Sequence, residues 1–276
     1  MDRDDGSQTA FLVCGFRALA SARPLPVCND PWAAALGGEE ALELARQFGG
    51  GAWKHGELWI ALRTAAIDRE VLASVDAGVR QVVILGAGLD ARAARLSRPG
   101  ARYFEVDHPL SQARKRERVA AAGYPGDVAT MVSCDFARED FLDRLVAAGF
   151  QVDTPSVVVW EGVVLYLEEA AVRGTLRRLA TGCHPASRVV FDHVGKKLAT
   201  GLARRPDDVA VVNSLDGVGE PIRYGVDDVL PVCFDAGFRH VRTRSFDELA
   251  LAFTGTYDRE RAFRFQGLTV ASVASP

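Results

Sequence analysis

Two glycines in a strand-to-helix turn, and an acid about 20 residues further on, are the residues of this chain whose types and spacing first suggest chemistry. The segment Val82-Val-Ile-Leu-Gly-Ala-Gly-Leu-Asp90 carries β-branched apolar residues into Gly86-Ala87-Gly88. Glycine reaches positive φ at little cost and lets a ligand approach the backbone, while a helix starting just beyond offers unpaired N–H groups. Downstream, Glu105-Val-Asp107 closes a second apolar run. A carboxylate there can accept from both hydroxyls of a ribose. Strand alternation points Glu105 and Asp107 to the same side. Asp107, nearer the carboxyl edge, is the expected ribose acceptor, leaving Glu105 to cap the turn or face solvent.

The charges around the turn bear on which adenosine cofactor it would hold. A dinucleotide fold usually places its glycine strand near the N-terminus and uses a third glycine beside the pyrophosphate. Here that place is Ala91, and about 80 residues of helical texture precede the turn. Asp90 would repel a pyrophosphate but tolerates a sulfonium ligand that also bears an ammonium group. S-adenosylmethionine therefore suits the turn better than NAD.

The elements that must position these residues follow from apolar periodicity. Helical spacing is expected over 8–20, 30–35, 40–48 and 57–74, with no strand before residue 80. Strands at 81–85, 102–107, 129–133, 156–160 and 187–193 then alternate with helices from residue 90 and over 109–122, 139–148 and 168–181. This alternation predicts an α/β fold: a Rossmann-like, mostly parallel sheet of seven strands with helices on both faces. The runs at 82–85 and 157–159, apolar at consecutive positions, fit strands buried on both sides. A helix at 226–236 and strands at 240–246 and 266–274 suggest an antiparallel C-terminal ending. One domain is expected: a helical cap over 1–79, a cofactor-binding core over 80–194, a lid insertion over 195–225 and a sheet edge over 226–276.

Composition narrows the classes of partner. The 276 residues are 48% hydrophobic and 25% charged, with net charge −3, and neither sign forms a long block. Neither a nucleic-acid backbone nor an anionic membrane is an expected partner; a small-molecule acceptor is, and a homodimer is left open. Five scattered cysteines without a C-x-x-C pair give no metal pattern and fit a reducing, cytoplasmic setting. The start, MDRDDGSQTAF, is acidic where a secretory signal would be basic, so export is not expected.

Several motifs together carry a family resemblance. Arg63-Thr64 with Asp68, Leu85-Gly-Ala-Gly-Leu-Asp-Ala-Arg92, Phe104-Glu-Val-Asp-His-Pro109, Cys134-Asp-Phe136 and Trp160-Glu-Gly-Val-Val-Leu-Tyr-Leu167 occur in the order found in the leucine carboxyl methyltransferase family. Asn29-Asp30-Pro31 and the N-terminal helices resemble its bacterial branch, which includes polyketide O-methyltransferases. The resemblance implies that Arg63 pairs with the methionine carboxylate of S-adenosylmethionine and that Gly86, Ala87 and Gly88 line its methionine and ribose. It further implies that Asp107 takes the ribose diol, that Asp135 and Phe136 flank adenine, and that Glu161 meets the ammonium group. S-adenosylhomocysteine would be the product.

A hydroxyl acceptor benefits from a positioned base, whereas a carboxylate needs none. His193 is the candidate base, with His108 as an alternative and Tyr166 as a hydrogen-bonding partner. A histidine packed at a strand end is the plainer reading of His193. The lid, with Asn213, Ser214 and Arg223, is the expected specificity element. The expected acceptor is a carboxylate or hydroxyl of a small natural product such as a polyketide. Rival readings are a protein carboxyl methyltransferase, a non-catalytic S-adenosylmethionine-binding protein and an NAD(P)-dependent oxidoreductase. The short-chain form of the last needs Tyr-x-x-x-Lys, but Ala170 follows Tyr166 at that place and Asp228 follows Tyr224.

Overall fold

The computed structural model describes residues 8–258 and 263–275; the acidic stretch 1–7 lies outside them. Three helices come first: α1 (Gln8–Ser21), α2 (Ala33–Phe48) and α3 (Gly56–Asp76). From residue 81 the chain alternates through β1 (Gln81–Leu85), α4 (Arg92–Arg95), β2 (Arg102–Asp107), α5 (Pro109–Ala122), β3 (Thr130–Ser133), α6 (Phe141–Ala147), β4 (Ser156–Trp160), α7 (Glu169–Gly182) and β5 (Arg188–Val194). It continues with α8 (Lys196–Ala199), α9 (Pro206–Gly217), α10 (Leu230–Ala236), β6 (His240–Ser245), α11 (Phe246–Thr254) and β7 (Gln266–Ser272).

The seven strands form one sheet in the order β3-β2-β1-β4-β5-β7-β6. The first five are parallel, and β7 inserts antiparallel between β5 and β6. Strand order reverses at the β1/β4 boundary. In an open α/β sheet that boundary leaves a crevice at the carboxyl edge where ligands bind.

Alternation along the strands divides the core between the two faces. Val82, Ile84, Val157, Val159, Val190 and Val194 pack with α1, α3, α9 and α11, and Val83, Leu85, Val158, Trp160 and Phe191 pack with α6, α7 and α10. Both β1 and β4 are buried throughout, as their continuous apolar runs predict.

Several boundaries differ from the sequence expectation, among them the helix expected at 226–236, which starts at Leu230, and four of the differences have a clear local reason. The helices expected at 30–35 and 40–48 form one element kinked at Gly38, whose φ is 67°. The helix expected after the glycine turn is only Arg92–Arg95, because Pro99 and Gly100 follow almost at once. The helix expected from 139 starts at Phe141, where the Asp140 carboxylate accepts from Leu142 N and Asp143 N. The lid holds α9, a 12-residue helix that starts with Pro206, a favoured first helical residue.

Candidate active site

A cavity of about 520 Å³ opens at the carboxyl edge over the β1/β4 boundary, within the range of roughly 300–1,000 Å³ usual for small-molecule sites. One wall is the glycine turn. Gly86 and Gly88 have φ of 69° and 46°, and a Cβ on Gly86 would lie 2.5 Å from Val163 Cγ2. Gly86 N and Ala87 N donate to Val106 O at the end of β2. Asp107 completes this anchorage, its Oδ2 accepting from Gly88 N at 2.6 Å and its Oδ1 from His108 N at 2.6 Å. The acid expected to take a ribose diol therefore also shapes the turn beneath it, and it lines the cavity.

Glu105 behaves otherwise than expected. Neither a cap nor solvent-facing, it is buried on the α5 side, 2.6 Å from Lys115 Nζ, which also donates to Asp90 O at 2.5 Å. Burial pushes its carboxyl up, and Lys115 offsets part of that rise.

The opposite wall is a chain of buried charges. Arg63, projecting from α3, donates from Nε to Glu161 Oε1 at 2.8 Å and from Nη1 to Asp192 Oδ2 at 2.6 Å. Asp192 Oδ1 accepts from Gly162 N at 2.6 Å, tying the end of β4 to β5. Arg92, fully buried, is held by Asp90, by Asp68 at 2.8 Å and by Glu161 Oε2 at 2.5 Å. The last contact is an ion pair without hydrogen-bond alignment, so Oε2 keeps its acceptor capacity.

The pKa shifts in this chain are set by burial and pairing. Burial alone would raise the Asp90 carboxyl, but Arg92, Arg17 and Arg95 outweigh it and hold the group down at about 2. Burial likewise acts on Glu161 against Arg92 and Arg63, with a net lowering. Both acids are ionised at neutral pH. Asp90 forms part of the cavity wall, but its carboxylate is committed to Arg92. Its repulsion of a pyrophosphate is correspondingly weaker than the sequence suggests.

The remaining expected site residues divide. Phe136 lines the cavity while staying 46% exposed, so one ring face is available for stacking. Asp135 is absent from the lining; its Oδ1 accepts from Ala137 N at 3.0 Å, a turn contact. Tyr166 lines the cavity and is hydrogen-bonded to Thr9, and burial raises its hydroxyl pKa.

Both histidines fall outside the cavity lining. His108 caps α5, its Nδ1 accepting from Leu110 N at 3.3 Å. His193 alternates with Asp192 along β5 and so faces the other side of the sheet, beside Phe191 and with Nε2 3.4 Å from Thr243 Oγ1. Burial holds its pKa below the usual imidazole value. The cavity side of β5 is presented by Asp192 and Val194 instead.

Away from the glycine turn the cavity turns apolar, walled by Phe16, Trp53, Trp59, Leu215, Ile222 and Phe263. The segment after α9 closes this end, pinned by Arg223 N and Tyr224 N donating to Leu165 O. Within it, Glu220 accepts from the Thr9 hydroxyl and, at 3.4 Å, from Thr9 N. Of the lid residues singled out from the sequence, Arg223 reaches the rim and pairs with Glu168, whereas Ser214 bonds back to Ala210 O within α9.

Asp192, Thr9 and Glu220 thus line the site outside the quoted motifs, and Arg92 closes one of those motifs without having been given a role there. Of the three outside the motifs, Asp192 carried a signal, an acid inside the apolar run Val189-Val-Phe-Asp-His-Val194. The donor and acceptor set suits S-adenosylmethionine: a carboxylate at a glycine turn for ribose, an aromatic face for adenine, and Glu161 with an unaligned oxygen for an ammonium group. Arg63 Nη2 makes no hydrogen bond to a described residue, which leaves a guanidinium edge for a carboxylate.

Comparison with known proteins agrees with this geometry. The family model for leucine carboxyl methyltransferase matches residues 10–180. A relative from Parafrankia sp. (strain EAN1pec), provisionally named an S-adenosyl-L-methionine-dependent methyltransferase, is 37% identical over 205 residues, covering 71% of this chain and 64% of the relative. One with the same provisional name from Mycolicibacterium gilvum (strain PYR-GCK) is 32% identical over 252 residues, covering 84% of this chain and 77% of that protein. The crystal structure of a DUF574 family protein from Streptomyces avermitilis shares the fold, with TM-score 0.63 and 14% identity over 98% of this chain and 99% of that one. By motif order, sheet topology and matched length, this chain belongs to the leucine carboxyl methyltransferase family.

Proposed function

We propose that this protein transfers a methyl group from S-adenosylmethionine to an oxygen, carboxylate or hydroxyl, of a small natural product such as a polyketide. The observation that carries this reading is one cavity with two unlike ends. A charged end at the sheet edge suits the cofactor, and an apolar end under the lid suits an acceptor with a hydrophobic body.

Bound S-adenosylmethionine would supply an already activated methyl group. The chain's own work is then alignment, and fixing two reactants in line can lower a barrier by roughly 7–11 kcal/mol. Arg63 and Glu161 would hold the amino-acid end, Asp107 the ribose, and Phe136 the adenine face, with Asp135 held in the adjoining turn. Because Arg63 is clamped by two carboxylates, its guanidinium has little rotational freedom to lose on binding. Phe16, Trp53 and Trp59 keep water from the acceptor end, where electrostatic contacts strengthen as the dielectric falls.

The direct test is incubation of purified protein with methyl-labelled S-adenosylmethionine and two extracts, one of small molecules and one of proteins. Label in the small-molecule fraction is expected. Label confined to protein would overturn the acceptor class, and label in neither fraction would overturn methyl transfer.

A further inference from the structure

Resting on the methyl-transfer reading above, we infer that the buried charges behind the cofactor end carry one anion in excess, which selects the sulfonium form of the cofactor and leaves S-adenosylhomocysteine weakly held. These charges form one continuous chain. Arg17 meets Asp30 at 3.0 Å, Asp30 meets Arg95 at 3.6 Å, and Asp68 joins Arg95 to Arg92. Arg92 also holds Asp90 and Glu161, and Arg63 joins Glu161 to Asp192. The side chains of the whole chain are between 0% and 13% exposed. Four arginines face five acids, so the chain is one positive charge short of balance. The shortfall lies at the ligand: Asp90, Glu161 and Asp192 line the cavity against Arg17 and Arg63, and Glu161 Oε2 accepts no hydrogen bond among the described residues.

The neighbouring charges do not supply the missing cation. Lys115 is matched by Glu105, Arg118 by Glu40 and Arg223 by Glu168. Arg114 lines the cavity on the α5 side, but Asp107 lines the same side, so the two together add no net charge. Glu220, engaged by Thr9 and by further contacts, is itself an anion. A buried charge without a counter-charge is costly, and an opposite charge is worth most where the dielectric is low. The ammonium and carboxylate of the cofactor's amino-acid part cancel, which leaves the sulfonium as the balancing cation. Methyl transfer breaks the S–CH3 bond, leaves its electron pair on sulfur and forms an O–CH3 bond. A hydroxyl acceptor gives up its proton to solvent, and a carboxylate gives up its charge to the ester. Sulfur is then a neutral thioether, the excess anion is again unmatched, and the site favours release of S-adenosylhomocysteine.

Three ligands titrated by calorimetry at pH 7 into cofactor-free protein test this: S-adenosylmethionine, S-adenosylhomocysteine and sinefungin, in which an amine-bearing carbon replaces the sulfonium. Both cationic ligands are expected to bind at least tenfold more tightly than S-adenosylhomocysteine. The preference should persist between about 0.05 and 0.5 M salt, because buried charges are screened little. In Asp192→Asn, which keeps the size and an oxygen for Arg63 but removes the excess charge, the ratio should shrink at least threefold. S-adenosylhomocysteine binding as tightly as the cations in the wild-type protein overturns the inference, whether or not the variant folds. So does an unchanged ratio in folded Asp192→Asn, and a preference lost at high salt would assign it to exposed charges such as Arg114 and Asp107. If none of the three ligands binds, the methyl-transfer reading falls as well; equal binding with the labelled-methyl assay intact sinks only the role given to the excess anion.

Discussion

Arg63 Nε sits 2.8 Å from Glu161 Oε1, joining α3 to the residue that follows β4 at the point where strand order reverses. Both side chains are almost fully enclosed, at 5% and 8% exposure. Breaking a buried pair by removing one partner costs about 3–5 kcal/mol, because the other charge is stranded. Arg63→Ala strands Asp192 and leaves Glu161 to Arg92 alone, so a loss within that range is expected by urea denaturation. A loss under about 1 kcal/mol would place the pair in the surface class instead.

The glycine turn makes a steric prediction. Gly86→Ala meets both a left-handed backbone and Val163 Cγ2 at 2.5 Å. A stability loss of roughly 1–3 kcal/mol is expected. Val163→Ala should recover the part due to the clash and leave the backbone part. A double-mutant cycle reads the division, and additive effects would show that Val163 does not bear on the turn.

Acid sensitivity follows from Asp90. Its folded pKa of about 2 lies below its ordinary value of 3.8, so the unfolded chain binds more protons between these limits. The resulting stability, roughly 2 kcal/mol, is fully present above pH 4 and is lost as pH falls through 3 towards 2. Asp90→Asn should flatten the pH dependence of urea unfolding in that window. An unchanged slope would show that Asp90 is not the titrating group.

Lys115 and Glu105, 2.6 Å apart and both about 2% exposed, give a paired test. Lys115→Met alone is expected to cost several kcal/mol, and adding Glu105→Leu should restore much of it, since an apolar pair can replace a buried ion pair. A double variant less stable than the single one would contradict this.

How legible the site was depends on how locally each part is encoded. The glycine turn, β2 and Asp107 follow from composition and spacing over a single strand-turn-helix unit, and the structure keeps their expected boundaries. Arg63 and Glu161 were legible only through motif resemblance, because 98 residues separate them and no periodicity links such a pair. Thr9 and Glu220 meet across 211 residues of chain, which nothing local records. His193 was misjudged by one residue of register: β5 brings Asp192 to the cavity side and turns the imidazole away, and a single-residue step reverses faces in any strand. The helix in the lid was missed because its apolar stripe is short, with Val211 and Leu215 as its buried apolar positions.

The measurement that bears most directly on the cleft is calorimetric titration of S-adenosylmethionine into the wild-type protein, Arg63→Ala and Asp107→Ala, with folding of each checked by circular dichroism. If the cofactor is gripped at both ends, each folded variant binds at least tenfold more weakly, about 1.4 kcal/mol. Wild-type affinity in both folded variants would contradict a cofactor site built from Arg63 and Asp107.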